Sequence, residues 1–284
     1  KLTVRINAMI RMPIRVETLE QNLAFLDSFL FAPEFRNDYL RVGTLKISVD
    51  GSGMRVPPDK VKAILKAAHK AGWQLFIHLG GGESFDVVTD SLEEAYREFP
   101  REDARHVITH ARFPSDRNIE TLKKYDILVE PQTGSLIRSR DDAESQVEAG
   151  RYGPIPTRTY LDNGIRVMTG TDQKPIGPLN TIWASVNRLR QSGKVIQPEE
   201  RMTLEEAIRA CTIVPAFASF EEDVKGSIEV GKLADLVVLG RDILTVPQEE
   251  IRDIPVLMTM IGGKFVYINP NKDPDQKVEY PNFG

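Results

Sequence analysis

The stretch Ile165-Arg-Val-Met-Thr-Gly-Thr-Asp-Gln-Lys-Pro175 decides the predicted fold, because it places a carboxylate just beyond a short apolar strand. Residues 165–168 are predicted to form the strand, and Thr169-Gly-Thr171 to end it. In a parallel α/β barrel, the loops after the carboxyl ends of the strands carry the chemically active residues. Asp172 could there be a metal ligand, a general base or both. Alternatively, it could be a turn residue or the N-cap of a helix.

The composition indicates a globular protein without a nucleic-acid or membrane partner. The 284 residues are 27% charged and 41% hydrophobic, which suits about two domains or one barrel with attachments. The net charge is −4, and no basic block is long enough to predict nucleic-acid binding. No apolar run approaches the roughly 20 residues that span a membrane. The single cysteine, Cys211, excludes an internal disulfide and a cysteine-rich zinc cluster.

The chain begins at Lys1-Leu-Thr-Val-Arg5, with neither an initiator Met nor a signal-peptide pattern. These residues look like the middle of a strand, so we expect the chain to be a piece of a longer protein. A processed or trimmed terminus is the alternative. We also predict a cytoplasmic location.

Predicted strands and helices alternate along most of the chain. Pro58 is predicted to open a helix and Gly72 to end it. Two capping-box sequences, Ser91-Leu-Glu-Glu94 and Thr203-Leu-Glu-Glu206, are predicted to start further helices. The alternation predicts a parallel sheet, closed or open. The predicted strands cover residues 3–6, 43–49, 73–78, 105–109, 127–129 and 165–168, further helices cover 16–31 and 116–125, and 138–157 form a long loop.

From about Gly226 the pattern changes to short strands. Gly231 precedes a predicted strand that ends at Leu239, and Gly262-Gly263 is predicted to be the turn of a hairpin. Residues 273–284 are predicted to be a surface tail. We therefore predict a partial barrel domain over residues 1–222 and a β-rich domain over residues 223–284.

Two of the four histidines, His78 and His110, lie at the carboxyl ends of successive predicted strands. Neutral imidazole is a natural ligand for zinc or a similar divalent metal. A single such histidine could be a core residue, but two of them, together with Asp172, favour a metal site. His69 lies within the predicted Pro58 helix, and His106 lies at the opposite end of a strand. We interpret both as structural or surface residues.

Lys46 lies inside an otherwise apolar predicted strand, where a free ammonium group is costly to bury. It could extend outward from an edge strand or form an ion pair with Asp50. It could also have a lowered pKa and act as a Schiff-base former or, once carbamylated, as an anionic metal ligand. The histidines and the aspartate predicted at the same rim favour the carbamate.

Nearly the whole chain, from about Lys1 to Ile268, resembles the C-terminal half of an amidohydrolase-superfamily enzyme. Within that superfamily it is similar to amidohydrolase family 3, the YtcJ-like group. Each matching piece is weak by itself, but the order and spacing are specific. The pieces are Leu45-Lys-Ile-Ser-Val-Asp-Gly51, Ala71-Gly-Trp-Gln-Leu-Phe-Ile-His78, Val107-Ile-Thr-His-Ala111, Val129-Glu-Pro-Gln132, Gly170-Thr-Asp-Gln-Lys-Pro175, Thr203-Leu-Glu-Glu-Ala-Ile208 and Gly226-Ser-Ile-Glu-Val-Gly-Lys-Leu-Ala-Asp-Leu-Val-Val-Leu239.

The resemblance implies a (β/α)8 TIM barrel with C-terminal strands of a composite β-sandwich domain. It implies one or two divalent metal ions, zinc in particular, and hydrolysis of a small-molecule amide-type substrate by a metal-activated hydroxide. Lys46 would be a carbamylated bridging ligand, and His78 and His110 would bind the second metal. Asp172 would bind the first metal and transfer a proton from water to the leaving nitrogen. No substrate-binding residue is implied.

The sequence departs from the family in two places. The superfamily's first strand carries a His-x-His pair, which is absent here, so we expect an N-terminal complementing segment or chain. After His78, relatives place an aspartate beyond the glycine, whereas this chain reads Leu79-Gly-Gly-Gly-Glu83. The substrate-side loop is therefore expected to differ.

Two other functions are compatible with the sequence. Because His-x-His is missing, the chain could be a catalytically incomplete half or an inactive paralogue that acts as an assembly partner. It could also be a Schiff-base lyase that uses Lys46. A homo-oligomer is possible in each case.

Overall fold

A mostly parallel sheet forms the centre of the fold. The structure is a computed structural model that describes residues 4–28, 35–50, 56–138, 150–172, 177–190 and 192–270. The strands of this sheet are β1 (Ile6–Arg11), β2 (Phe35–Arg36), β3 (Leu40–Ser48), β4 (Gln74–His78), β5 (Val107–Thr109) and β6 (Leu128–Glu130). Their order is β1-β3-β4-β5-β6 with parallel pairing, and β2 pairs antiparallel with β3. The predicted parallel sheet is confirmed.

Helices connect the parallel strands from β3 to β6. The described helices are α1 (Leu19–Ser28), α2 (Pro58–Lys70), α3 (Glu83–Glu98), α4 (Asp116–Lys124), α5 (Thr157–Asp162), α6 (Pro178–Asn187), α7 (Leu204–Cys211) and α8 (Ile213–Ala218). Short 3-10 helices cover Thr133–Arg138, Pro198–Glu200 and Gln248–Asp253. Within the described ranges, no helix is both long enough and apolar enough to cross a membrane.

The two faces of the parallel sheet have different chemistry because side chains alternate along each strand. One face packs against α2 and α3 and forms the main core. Its strand residues are entirely apolar and buried: Leu45, Ile47, Leu75, Ile77, Ile108 and Val129. The opposite face carries Lys46 next to a small apolar cluster that includes Phe76, Val107 and Leu128. Polar residues are therefore concentrated on the second face.

Local sequence signals correctly placed two helices. Pro58 begins α2, and Gly72 follows it with a φ of 87°, a conformation that favours glycine. Thr203 and Glu206 cap α7 reciprocally, because each side chain bonds the backbone N–H of the other residue. Both predicted starts are confirmed.

The prediction of a helix start at Ser91 is wrong. Ser91 lies in the middle of α3, and its hydroxyl donates to the carbonyl of Val87 one turn earlier. The helix begins after Gly82 because the buried residues Phe85 and Val88 extend its apolar stripe toward the N-terminus. A capping-box pattern inside a continuous apolar stripe does not start a helix.

Other predicted bounds shift. Strand β1 covers Ile6–Arg11, whereas residues 3–6 were predicted, of which Thr3 lies outside the described residues. The predicted strand 165–168 is reduced to a single parallel bridge between Val167 and Val129. The predicted loop 138–157 ends where α5 begins at Thr157, and its residues 139–149 lie outside the described residues, as does the predicted tail 273–284.

A separate antiparallel sheet follows Gly226. It contains β7 (Leu236–Leu239), β8 (Val256–Ile261) and β9 (Lys264–Ile268) in that order. Gly262 and Gly263 both have positive φ, as a tight hairpin turn requires, so the predicted hairpin is confirmed. An ion pair between Arg5 and Asp235 links this sheet to the start of the chain. The proposed domain boundary at residue 222 stays a prediction.

His69 and His106 form a buried chain of hydrogen bonds at the opposite end of the sheet from His78. The Leu75 N–H donates to His106 Nδ1 over 3.0 Å, so a neutral His106 carries its proton on Nε2. That Nε2 donates to His69 Nδ1 over 2.8 Å, and His69 Nε2 donates to the Phe99 carbonyl over 2.8 Å. Only neutral rings satisfy all three bonds. Burial lowers the pKa of both histidines, which supports this assignment.

We predict that this pair makes the protein less stable in acid. Because the folded-state pKa values lie below the unfolded value of about 6.5, the unfolded chain gains protons first as the pH falls. Each histidine then costs about 1.4 kcal/mol of unfolding free energy per pH unit below that value. His106→Leu should lower stability by roughly 2–4 kcal/mol at pH 8, because Leu75 N–H and His69 lose their partners. The difference in unfolding free energy between this variant and the wild type should be smaller at pH 5, because the variant has lost one of the two histidines that destabilise the wild type in acid. Urea denaturation measures this, and an equal deficit at both pH values would contradict it.

Candidate metal centre

Polar side chains line up across the carboxyl ends of the parallel strands. The strand register pairs Ser48 with His78, His78 with Thr109, and Thr109 with Glu130. His110 directly follows Thr109. Because register partners in a parallel sheet point to the same face, Ser48, His78, Thr109 and Glu130 border one side of the sheet edge. The contact between His110 and His78 brings His110 to the same side. Lys46 lies on that face two residues before Ser48.

His78 and His110 contact each other directly. Nδ1 of His78 lies 2.9 Å from Nε2 of His110, and the rings meet edge to face. Burial lowers the pKa of His110 to about 3, with a further effect from His78. Burial and Lys46 lower the pKa of His78. Both rings are therefore neutral near pH 7, which is the form that binds metal ions.

The backbone around the two histidines is held by its neighbours. His110 has a φ of 66°, and its N–H donates to the Glu130 carbonyl over 2.8 Å. Asp50 accepts bonds of 2.8 and 2.9 Å from the N–H of Gly80, just beyond His78. Its carboxylate lies 3.9 Å from His78 Nε2. The ion pair between Lys46 and Asp50 that the sequence left open is not among the contacts of the described residues.

Lys46 is a partly buried amine beside an aromatic ring. Its Nζ lies 4.5 Å from the centre of the Phe76 ring. Burial lowers the pKa of Lys46 to about 8, although Glu130 and Asp172 act in the opposite direction. A substantial fraction of the side chain is therefore the neutral, nucleophilic amine at slightly alkaline pH.

Glu130 is a buried site residue that the sequence analysis did not identify. Thr109 donates a short hydrogen bond to it, and Gln132 approaches the same oxygen at 3.4 Å. Burial raises the pKa of Glu130 to about 7. A Cβ on Gly170 would lie 2.6 Å from the other carboxylate oxygen, so the Asp172 loop passes directly over Glu130. The sequence signal that could have identified Glu130 is its position at the end of a predicted strand, which corresponds to the position of His78 at the end of an earlier strand.

Asp172 lies at the same rim but does not contact the histidines. It is exposed and has a φ of 55°. The strand end before it is anchored, because Thr169 accepts a bond from the Thr133 N–H and Gly170 accepts one from the Gly134 N–H. Its carboxylate acts electrostatically on Lys46, with the sign of a nearby anion. The structure therefore brings His78 and His110 into contact. Asp172 and Lys46 lie at the same rim without contacting the histidines.

The histidine pair fits a divalent metal ion. Two nitrogens that share a tetrahedral zinc lie about 3.3 Å apart, since each zinc–nitrogen distance is about 2.0–2.1 Å. The observed separation of 2.9 Å is a hydrogen-bond distance, so the same two nitrogens would share an ion after moving apart by about 0.4 Å and giving up the proton between them. Among the described residues, no three His, Cys, Asp or Glu side chains lie together closely enough to hold an ion. The described residues thus bring two neutral imidazoles together but do not place a third metal ligand beside them.

The sequence pattern of the amidohydrolase family matches residues 2–267. The chain therefore belongs to the amidohydrolase family, and the predicted relationship to its family 3 group is confirmed.

Two curated relatives support this relationship. The chain is 31% identical over 221 residues to an N-substituted formamide deformylase of Arthrobacter pascens, covering 74% of this chain and 39% of the relative. It is 23% identical over 256 residues to the putative amidohydrolase YtcJ of Bacillus subtilis, covering 81% of this chain and 48% of the relative. The chain thus spans less than half the length of either protein.

The fold matches that of a solved metal-dependent hydrolase. An uncharacterized metal-dependent hydrolase from Pyrococcus horikoshii superposes with a TM-score of 0.68 at 23% sequence identity. The match covers 87% of this chain and 52% of that structure. The predicted fold, part of a TIM barrel followed by a separate antiparallel sheet, is confirmed.

Gly81 provides a test of how tightly this rim is packed. A Cβ there would lie 2.3 Å from the carbonyl oxygen of Arg112, and its φ is 121°. Gly81→Ala should therefore cost more than about 2 kcal/mol of unfolding free energy. The matched control is Gly72→Ala, which has open space and a φ of 87° and should cost about 1 kcal/mol. Urea denaturation of both variants measures the difference, and equal costs would contradict the packing.

Proposed function

We propose that the protein is a metal-dependent hydrolase of non-peptide, amide-type carbon–nitrogen bonds. The observation that carries the proposal is the neutral His78–His110 pair at the carboxyl rim, with Lys46 and Asp172 around it. Membership of the amidohydrolase family supports the reaction class. The relative named N-substituted formamide deformylase acts, by its name, on such a bond.

In this proposal, His78, His110, Asp172 and a carbamylated Lys46 hold one or two divalent ions, most simply zinc. The neutral imidazoles support this because zinc prefers nitrogen ligands of that form. The lowered pKa of Lys46, about 8, supports carbamylation because only the neutral amine adds to carbon dioxide. When bound, the metal supplies Lewis acidity, which polarises the amide carbonyl and makes water more acidic.

Asp172 is proposed to move the proton. Its exposed position at the mouth of the rim allows its carboxylate to accept a proton from the attacking water and to donate it to the leaving nitrogen. The amide carbon then gains an oxygen, and the nitrogen leaves as a neutral amine. Glu130 would keep the loop that carries Asp172 in place through its packing against Gly170.

The remaining expectations from the sequence belong to the same proposal. The substrate would be a small molecule, and neither nucleic acid nor a membrane would be a partner. An N-terminal complementing segment or chain would supply the ligands that the described residues lack, and a homo-oligomer is compatible with it. The cytoplasmic location and the domain boundary at residue 222 also stay predictions.

Metal content and turnover of the full protein test the proposal. His110→Ala should lower metal affinity by about tenfold or more and abolish hydrolysis, because one of the two assembled ligands is lost. Asp172→Asn should retain the metal bound by the histidines but lower kcat by about 100-fold or more. Arg117→Ala, an exposed change on α4, is the control. Elemental analysis and amine release measure both properties. Full metal content and full hydrolysis in both site variants would disprove the proposal.

A Schiff-base lyase that uses Lys46 is the second candidate, favoured by the same lowered pKa. It predicts that borohydride traps a carbonyl substrate on Lys46, detectable by mass spectrometry as a covalent adduct that Lys46→Arg abolishes. The hydrolase predicts no adduct. The third candidate, an inactive half that serves as an assembly partner, is favoured by the absence of a third assembled metal ligand among the described residues. It predicts neither metal nor turnover with any N-terminal partner present.

A further inference from the structure

The direction of the His110 side chain departs from the alternation of strand β5. Ile108 packs in the main core, and Thr109 lies on the opposite face, where its hydroxyl donates to Glu130. Because side chains alternate along a strand, a regular continuation of β5 would turn His110 toward the core, on the side of Ile108. Its ring instead lies against His78, with 2.9 Å between the two nitrogens. The imidazoles therefore meet because the backbone leaves strand geometry at His110.

Two successive positive φ angles produce this departure. The φ of His110 is 66° and that of Ala111 is 45°, whereas a parallel strand has a φ of about −120°. Residues with a Cβ rarely adopt this left-handed region, and they remain in it only where neighbouring groups hold them. The Glu130 carbonyl holds the His110 N–H over 2.8 Å. The Ala111 side of the turn needs a contact of its own.

Tyr160 of helix α5 makes that contact. Its hydroxyl donates to the Ala111 carbonyl over 2.6 Å, and both residues are 0% exposed. Because both partners are buried, removal of the hydroxyl would leave the Ala111 carbonyl without this donor in a place that bulk water does not reach. The bond therefore favours the left-handed turn over a backbone path that moves this carbonyl elsewhere.

The helix that carries Tyr160 is itself anchored to Glu200. The Thr157 hydroxyl donates to the Glu200 carbonyl. The N–H and the hydroxyl of Thr159 donate to the Glu200 carboxylate over 3.0 and 2.6 Å. A side chain can fix another group only if its own position is fixed, and these bonds meet that condition for Tyr160.

We propose that Tyr160 is a positioning residue of the candidate metal centre, because its bond to the Ala111 carbonyl holds the turn that aims His110 at His78. The proposal rests on the proposed function for the role of His110 as a metal ligand. Tyr160 acts through the backbone and takes no part in the chemistry. A ligand that is already oriented loses less conformational freedom when the ion binds, so the hydroxyl should raise metal affinity.

Tyr160→Phe tests the proposal, because it removes only the hydroxyl oxygen. In the full protein, labelled with ¹⁵N-histidine and freed of metal, NMR detects the ring N–H shared by the two imidazoles. His78→Ala assigns that signal among the four histidines. Titration with Zn²⁺ against a competing chelator measures affinity. Thr157→Val is the matched control, because it removes a buried hydroxyl of the same helix that bonds Glu200 instead of Ala111.

We expect Tyr160→Phe to weaken or remove the shared N–H signal and to lower Zn²⁺ affinity about tenfold or more. Thr157→Val should lower stability in urea to a similar extent but leave the signal and the affinity unchanged. Ala111→Gly, added to Tyr160→Phe, should restore part of both, because glycine adopts a positive φ at little cost.

Three results would overturn the proposal: an unchanged signal and affinity in Tyr160→Phe, equal losses in Thr157→Val, or no recovery with Ala111→Gly. If the wild type hydrolyses no amide but Tyr160→Phe still removes the signal, the positioning role is supported and the proposed function is contradicted. Amide hydrolysis by a protein whose signal and affinity do not depend on Tyr160 would support the proposed function and contradict the positioning role.

Discussion

The candidate site depends on the register of the four successive parallel strands β3, β4, β5 and β6. Each strand is paired so that Ser48, His78, Thr109 and Glu130 lie side by side at the carboxyl edge. A slip of one residue would turn all of these side chains into the apolar core, because side chains alternate between the two faces. The buried face opposite, formed by residues such as Ile47, prevents that slip.

Burial then sets the electrostatic character of the rim. It lowers the pKa of His110 and Lys46 and raises that of Glu130, so each group moves toward its neutral form. Neutral imidazoles and a partly neutral amine are suited to metal binding or nucleophilic chemistry, whereas charged forms of the same residues are not. Asp172 is exposed, so it adds a carboxylate at the solvent side of the rim.

Different residues show how far the sequence could predict this structure. The histidines at the strand ends were found because a parallel sheet brings successive carboxyl ends to one edge. Glu130 was missed as a site residue because its burial depends on contacts with Thr109 and Gly170, which are distant in the sequence. The capping box at Thr203 was correct, whereas that at Ser91 was wrong because the apolar stripe of α3 continues past it.

The sequence by itself determined the alternation of strands and helices, the identity of the candidate ligands and the family, since these depend on periodicity and on local motifs. The tertiary structure alone decided that His78 and His110 touch. It also decided that the strand at Val167 is reduced to one bridge. The reason is that contacts and desolvation depend on the packing of segments far apart in the chain, which local patterns do not encode.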